Sequence, residues 1–566
     1  MTGRVLPLIL LAVSTLTTSA AATPPALTDL GTLGGASSEA YAINDSGQIT
    51  GHADLDTLND HAFFYSGGIM TDLGTFGGHD SAGLVINGAG QIAGWAETTG
   101  DLEVHAFLYS AGVMSDIGTL GGTESYASAV NSSGQVVGQS LMAGDLETHA
   151  FLYSGGVLTD LGTLGGSISI PTAINDDGKI VGYSMIAGDT EFHAFVYSGG
   201  VMTDLGFGVP GSFAHSINSS GQIVGDANLP GSTQVQAFVS SSGVNTYLGT
   251  LGGPYSSAIN INDAGTIIGV SNNSVPEGHG FLYSGGVMTD LGRIFPNAQN
   301  ASGQVAGESV IGEQRAVLYS AGFTEDLGTF GGLEAAAYDI NESGAAVGYA
   351  DVSASVTHAF RRDPVCGDRI KDPTEDCDDG NSIDGDCCAN DCSYPGPAMT
   401  CLAGVKTSLG IKNQLADSKD AIKWKWAGAA FAQADLGDPT DSTVYTLCIS
   451  DSTGGVDRLV ATLRINPTPI WENHDPDGFT YAYDNDLVSG VYKMQLKAGD
   501  AGKAKIQISA RGGAVPMPPP MSPSELFDQD PRVTVQLFND TTATCWSSEF
   551  SIAKKNKASG FKAKTP

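Results

Sequence analysis

HAFLYSGGVLTDLGTLGG, residues 149–166, is one copy of a text that returns through the first two thirds of a 566-residue chain. Its Thr-Asp-Leu-Gly part, or a close variant, begins at Thr28, Thr71, Ser115, Thr159, Thr203, Thr246 and Thr289, and a last copy carries Asp326-Leu327-Gly328. The His-Ala-Phe part begins at His61, His105, His149, His193, Gln236, His279, Arg315 and His358. Between them runs an Asn-x-x-Gly turn at Asn44, Asn87, Asn131, Asn175, Asn218, Asn262, Asn300 and Asn341. Copies start 43 or 44 residues apart (28 to 71, 71 to 115), with a last step of 36 (289 to 325). A period of this size marks a repeat architecture.

In the copy at 166–206, four short β-like runs (172–175, 179–184, 193–197 and 201–205) alternate with Asn-x-x-Gly and Ser-Gly-Gly stops. Such stops supply residues that tolerate positive φ, which tight hairpins need. Each unit therefore reads as a four-stranded antiparallel meander, and no unit holds a helix-length stretch of 3.6-residue periodicity. Four strands per repeat of this length describe a propeller blade. The repeat region opens with a fourth-strand segment, 27–33, and closes with a third-strand segment, 358–361. Pairing them closes a ring and removes two exposed sheet edges. The expected fold is all-β, led by an eight-bladed β-propeller over 23–363. A seven-bladed ring is the alternative, because Pro296-Asn297-Ala298-Gln299 makes a poor strand in the unit with the shortened spacing.

Three motifs recurring together, HAFLYSGGVMTDLGTLGG-like text followed by AINDSGQIVG-like text over about residues 27–362, resemble the HAF-type extracellular repeat proteins of bacteria. The resemblance implies an exported β-repeat protein without an established catalytic activity.

Composition agrees with export and narrows the partners. Lys+Arg number 26 and Asp+Glu 61, a formal net charge of −35 that argues against nucleic acid as a partner. Arg4, the apolar run 5–13 and Ala20, Ala21 and Ala22 read as a signal peptide over 1–22, and no later run is long enough to span a membrane. No Cys lies near the cleavage point, so a lipid anchor is not expected.

All eight cysteines, Cys366, Cys377, Cys387, Cys388, Cys392, Cys401, Cys448 and Cys545, follow residue 365 and are expected in disulfides. Six of them fall within 366–401, too dense for a conventional core, so 364–401 reads as a disulfide-rich module. Sequence does not choose among its fifteen pairings. Asp378, Asp379, Asn381, Asp384 and Asp386 crowd oxygen ligands suited to Ca²⁺, although the spacing is not that of an EF-hand and turn formation explains the same residues. Zinc fits less well, since exported thiols oxidise and no His is nearby. The segment resembles the Myxococcus-type cysteine-rich repeat through Asp376-Cys377-Asp378-Asp379-Gly380-Asn381 and Gly385-Asp386-Cys387, and departs from it at Cys388. It is also similar to the calcium-dependent Notch-type module, which supports the calcium reading.

Residues 402–566 hold 18 Lys+Arg and 18 Asp+Glu, against 5 and 34 in 23–365, so a separate domain begins there. Alternating runs at 421–426, 444–449, 459–465, 491–496, 503–509 and 533–538 suggest a β-sandwich, with Cys448 and Cys545 the expected remaining disulfide. Its text resembles a C-terminal domain that follows such cysteine-rich repeats in exported bacterial proteins, and 517–523 reads as an exposed Pro-rich loop.

No nucleophile-elbow, zincin, Walker or Rossmann signature sits in the context its chemistry needs. His61, His105, His149, His193, His279 and His358 fall one per blade, so a ring spreads them apart, and hydrogen bonding within the repeat is the expected role. Asp101 and Glu103, Asp145 and Glu147, and Asp189 and Glu191 precede three of these histidines and should form an acidic arc on one rim. The seventh unit, with Arg293 and Arg315, departs most from the repeat, which reads as relaxed sequence near the end of the array or, alternatively, as a ligand site. The expectation is a secreted or surface-exposed non-catalytic scaffold that binds an extracellular polysaccharide or a cell-surface protein. No catalytic or organic-cofactor residue is assigned. A propeller-fold carbohydrate-active hydrolase or lyase is the alternative.

Overall fold

The computed structural model describes residues 27–565 apart from 56–58, 275–276, 311, 321, 367–371, 374, 376, 378–387, 390–391, 394, 396, 398–399, 413–419, 454–455, 469, 483–489, 513–514, 516–531, 543 and 558–559. The segment 1–22, the candidate calcium ligands Asp378, Asp379, Asn381, Asp384 and Asp386, Cys387 and the loop 517–523 lie outside the described residues.

Through Arg362 the chain forms eight successive four-stranded antiparallel meanders arranged as a β-propeller. The first contains Ser38–Ile43, Ile49–Asp54, Asp60–Ser66 and Ile69–Gly74 in sequential order. The fourth contains Gly165–Ile174, Ile180–Ile186, Phe192–Ser198 and Val201–Asp204. The eighth contains Ala335–Ile340, Ala346–Ser353 and Val356–Arg362, and takes its fourth strand, Thr28–Asp29, from the start of the repeat region. Thr28 faces Arg361 and Asp29 faces Phe360, and the Leu30 N–H donates to Ala359 O at 2.9 Å. First strands of consecutive units touch one another all round the circle, so they are the innermost.

The seventh unit is a full meander: Ile294–Gln299, Val305–Ser309, Arg315–Ser320 and Phe323–Asp326. Pro296 does not break its first strand, because it sits just before the bulge between Pro296 and Ala298. Pro171 holds the same place in the fourth unit. Bulges are among the few sheet positions where proline fits.

That bulge explains the apolar-x-Gly text of each second strand. At Gly51, Gly94, Gly138, Gly182, Gly225, Gly269, Gly307 and Gly348 a Cβ would lie 1.9–2.2 Å from a carbonyl oxygen of the first strand. The buried Phe of the His-Ala-Phe text lies opposite, as in Gly138 with Phe151 and Gly182 with Phe195, and its ring fills the space the glycine leaves.

Serines fasten each of the first six units to the one before. Ser81 Oγ donates to Gly74 O at 2.6 Å and accepts the Ala62 N–H at 2.8 Å. Ser125, Ser169 and Ser256 repeat both bonds, and Ser38 does so to Gly31 and Ala359 across the closure. Ile294 and Ala335 replace this serine in the seventh and eighth units.

At one end of the ring, the side-chain amide of each Asn-x-x-Gly asparagine donates to the backbone carbonyl of the next. Asn44 donates to Asn87, Asn87 to Asn131, Asn131 to Asn175 and Asn175 to Asn218. The series continues through Asn262, Asn300 and Asn341, which returns to Asn44 O at 3.0 Å. At the same end Asp372 is buried, accepting from Gln304 Nε2 at 2.9 Å and Arg362 Nη1 at 3.1 Å. Burial raises its pKa against the opposing pull of Arg362.

Beyond residue 401 two sheets face each other. One has the order Leu402–Ala403, Cys545–Phe550, Val533–Asn539, Tyr445–Thr453 and Val456–Ile465. The other places Ala421–Ala427 between Lys505–Arg511 and Ser408–Lys412. Ile422, Trp424 and Trp426 alternate inward and share one core with Leu447, Val535, Leu537 and Trp546 of the first sheet, which makes a β-sandwich.

The expected Cys448–Cys545 disulfide is corrected: Cys545 bonds Cys401, with Cα atoms 4.6 Å apart. The strand Val533–Asn539 lies between those of Cys448 and Cys545, which puts the two roughly 10 Å apart, beyond disulfide reach. Cys448 is itself disulfide-bonded. In the module, Cys366 pairs with Cys392 and Cys377 with Cys388.

Gly138→Ala should destabilise the ring by about 1–3 kcal/mol, since its Cβ would meet Tyr126 O at 2.0 Å. Gly88→Ala, with nothing within 4 Å and no positive φ, should leave stability unchanged or raise it by up to about 1 kcal/mol. Denaturant unfolding of the two variants checks the contrast.

Candidate functional site

The repeated histidines tie third strands to fourth strands. His61, His105, His149, His193 and His279 each place Nδ1 2.7–2.9 Å from the Asp eleven residues on, namely Asp72, Asp116, Asp160, Asp204 and Asp290. His358 makes the same pair with Asp29 at 2.8 Å across the closure. Each aspartate also accepts the N–H of the glycine two residues later, as Asp160 does from Gly162 at 2.7 Å. This explains the fixed interval between the His-Ala-Phe and Asp-Leu-Gly texts. In the seventh unit Arg315 Nε donates to both Asp326 oxygens at 3.2 Å, so an arginine does the work of the histidine there.

The acidic arc divides into two roles. Asp145 and Asp189, at positive φ, accept the backbone N–H of Thr123 at 2.9 Å and of Ser167 at 2.6 Å, and Asp101 accepts that of His79 at 2.9 Å. Glu103, Glu147 and Glu191 stand 3.4, 3.8 and 3.9 Å from the outer nitrogens of His105, His149 and His193. Sequence reading found these residues but not their partners.

The inner strands carry a feature that motif reading missed. Around the bulge, where most positions repeat as Ala or Gly, the extra residue varies from unit to unit: Tyr41, Leu84, Ser128, Thr172, His215, Ile259, Asn297 and Tyr338. The neighbouring cross-strand pairs vary too, including Glu39 with His52, Ala82 with Trp95, Tyr126 with Gln139 and Ile170 with Tyr183. The signal was in the sequence as disagreement among the eight copies at fixed register.

Many of these varying residues are half-buried aromatics. Tyr41 lies 5.4 Å from His52 and 5.8 Å from Tyr338 between ring centroids, and Tyr338 lies 5.7 Å from Tyr349. Trp95 meets Tyr126 edge-on at 6.3 Å, and Tyr183 meets Phe213 at 5.1 Å. Carboxylates are interleaved with them. Burial first, then Glu39, raises the phenols of Tyr41 and Tyr338, and burial with Glu39 and Glu308 pushes Tyr349 up to about 12. His215 Nε2 pairs with Asp226 at 2.8 Å, and Ser257 Oγ donates to the same carboxylate at 2.7 Å. Between residues 23 and 178 the chain has no Lys or Arg. This face therefore offers aromatic surfaces for stacking, acceptors for hydroxyl groups and a negative potential.

Neither a known family nor a curated protein matches the chain. Solved structures that resemble it include TolB from Acinetobacter baumannii, at 12% identity and a TM-score of 0.29, with the match covering 42% of this chain and 61% of that one. The β-propeller domain of the Trilobed protease from Pyrococcus furiosus aligns at 10% identity and a TM-score of 0.34 over 54% of this chain and 97% of that one. Aleuria aurantia lectin in complex with Fucα1-6GlcNAc aligns at 16% identity and a TM-score of 0.25 over 45% and 94%. Likeness at this level concerns the fold alone.

His105→Gln, which installs the residue the fifth unit carries as Gln236, should cost less than about 1 kcal/mol, as expected for an ion pair at the surface. Thermal unfolding against the unaltered chain measures this, and a cost several times larger would make the imidazole indispensable to the blade.

Proposed function

We propose that the chain is an exported, non-catalytic binding protein whose propeller holds an extracellular polysaccharide on the aromatic and acidic face of its inner strands. The observation that carries this reading is where the repeat departs from itself. Serines, histidines, asparagines and glycines that build the ring recur, whereas the half-buried residues around the bulge do not. A surface kept uniform for folding and varied at one face is suited to recognition, and half-buried aromatic rings stack on the apolar faces of sugars. The disulfides Cys366–Cys392, Cys377–Cys388 and Cys401–Cys545 suit an oxidising compartment outside the cytosol, and the resemblance to HAF-type extracellular repeats points the same way. No helix among the described residues is long and apolar enough to cross a membrane.

Retention of the purified chain on a panel of immobilised polysaccharides tests the proposal. Trp95→Ala and Tyr126→Ala should each weaken retention about tenfold or more, a loss near 1.4 kcal/mol, while His105→Gln leaves it unchanged. Retention unaffected by both aromatic substitutions would remove the proposed face. Turnover of a retained polysaccharide would replace binding with hydrolase or lyase activity, and retention only on cell-surface protein would replace the ligand.

A further inference from the structure

The second unit adds metal-ligating chemistry that its neighbours lack. His79 Nδ1 contacts Asp101 Oδ2 directly, and one ligand atom from each of His79, Glu97 and Asp101 lies within 4.8 Å of the others. In the third unit the corresponding residues are Thr123, Leu141 and Asp145, and in the fourth Ser167, Met185 and Asp189. There the aspartate alone pins the turn through the backbone N–H of Thr123 or Ser167. The turn therefore forms without an imidazole: Asp54 and Asp351, at Glu97's place in the first and eighth units, accept the equivalent N–H groups of Ser37 and Glu334, so the architecture of the blade accounts for one carboxylate but not for His79.

We propose that His79, Glu97 and Asp101 bind a divalent transition-metal ion of the Zn²⁺ class. One imidazole nitrogen with two carboxylates suits such an ion better than Ca²⁺ or Mg²⁺, which favour all-oxygen shells. The carboxylates are already oriented: Glu97 Oε2 accepts the N–H groups of His79 and Asp80 at 3.1 Å each, and Asp101 Oδ1 accepts that of His79 at 2.9 Å. Such outer bonds fix ligand direction and leave the remaining oxygens for the ion. With no Lys or Arg anywhere from residue 23 to 178, a cation relieves the repulsion between the paired carboxylates. The His79 side chain is 60% exposed, which leaves coordination positions open to water or to a ligand's oxygens. The proposal is independent of what the aromatic face binds.

Calorimetric titration of the chelator-treated full chain with Zn²⁺, and separately with Ca²⁺, tests this against His79→Thr/Glu97→Leu, which gives the second unit the residues of the third. The unaltered chain should bind one more equivalent of Zn²⁺ than the double variant, or bind one equivalent at least tenfold more tightly, and the Ca²⁺ isotherms should coincide. Identical Zn²⁺ isotherms, or a difference confined to Ca²⁺, would overturn the assignment. Should the double variant fail to fold, the ring carbon signals of His79 in the unaltered chain decide by NMR. They shift on adding Zn²⁺ if the site is real and stay fixed if it is not.

Discussion

Eight side-chain amides, each donating to the backbone carbonyl of the next asparagine at 2.9–3.2 Å, form a closed circle on which the ring depends. The same side chains accept backbone N–H groups within their own turns, as Asn131 Oδ1 does from Ser133 and Gln135. Each asparagine thus shapes its hairpin and joins it to the next unit with one group. A buried amide hydrogen bond is worth about 1 kcal/mol net, and a buried carbonyl left without a donor costs about 1–3 kcal/mol. Because the series is circular, loss of one member disturbs the turns on both sides of it.

The joints between units are not equal. Serine fastenings run from the closure to the sixth unit and stop where Ile294 and Ala335 stand in their place. Apolar packing replaces them there, with Ile294 beside Val317 and Ala335 beside Ala316. Around the seventh and eighth units the ring also meets the disulfide-rich segment, through Asp372 against Gln304 and buried Arg362. At the closure Asp339 accepts the Ile43 N–H of the first unit at 2.9 Å, and burial pushes its carboxyl up to about 7 against that bond. The ring's joint therefore carries a carboxyl whose ionisation burial opposes.

Local chemistry made the architecture legible. Asn-x-x-Gly and Ser-Gly-Gly stops, period-two runs and the spare fourth strand at 27–33 were enough for the meander, the propeller and its closure, because each depends on residues close in sequence or on simple counting. What sequence did not yield were partners set by geometry between units. The asparagines read as turn residues, and their bonds to carbonyls some 43 residues away followed only from the ring. The six histidines read as hydrogen-bonding groups without a partner, although for five of them the constant interval of eleven residues to an aspartate was present. The Cys448–Cys545 expectation failed because strand order, invisible in the sequence, places a strand between them. The aromatic face escaped notice because motif searching favours what recurs, and this face consists of what does not.

The amide circle and the borrowed strand close one ring, so that residues nearly 300 positions apart, such as Asn44 and Asn341, share a fate. Hydrogen exchange at the Leu30 amide, which donates to Ala359 O, reports on it directly. Strong protection in the unaltered chain, together with faster exchange at Leu30 and at the Asn44 turn in Asn341→Ala, is the predicted result. A Leu30 amide that exchanges freely while the strands around Gly182 stay protected, or one indifferent to Asn341→Ala, would contradict the closed ring.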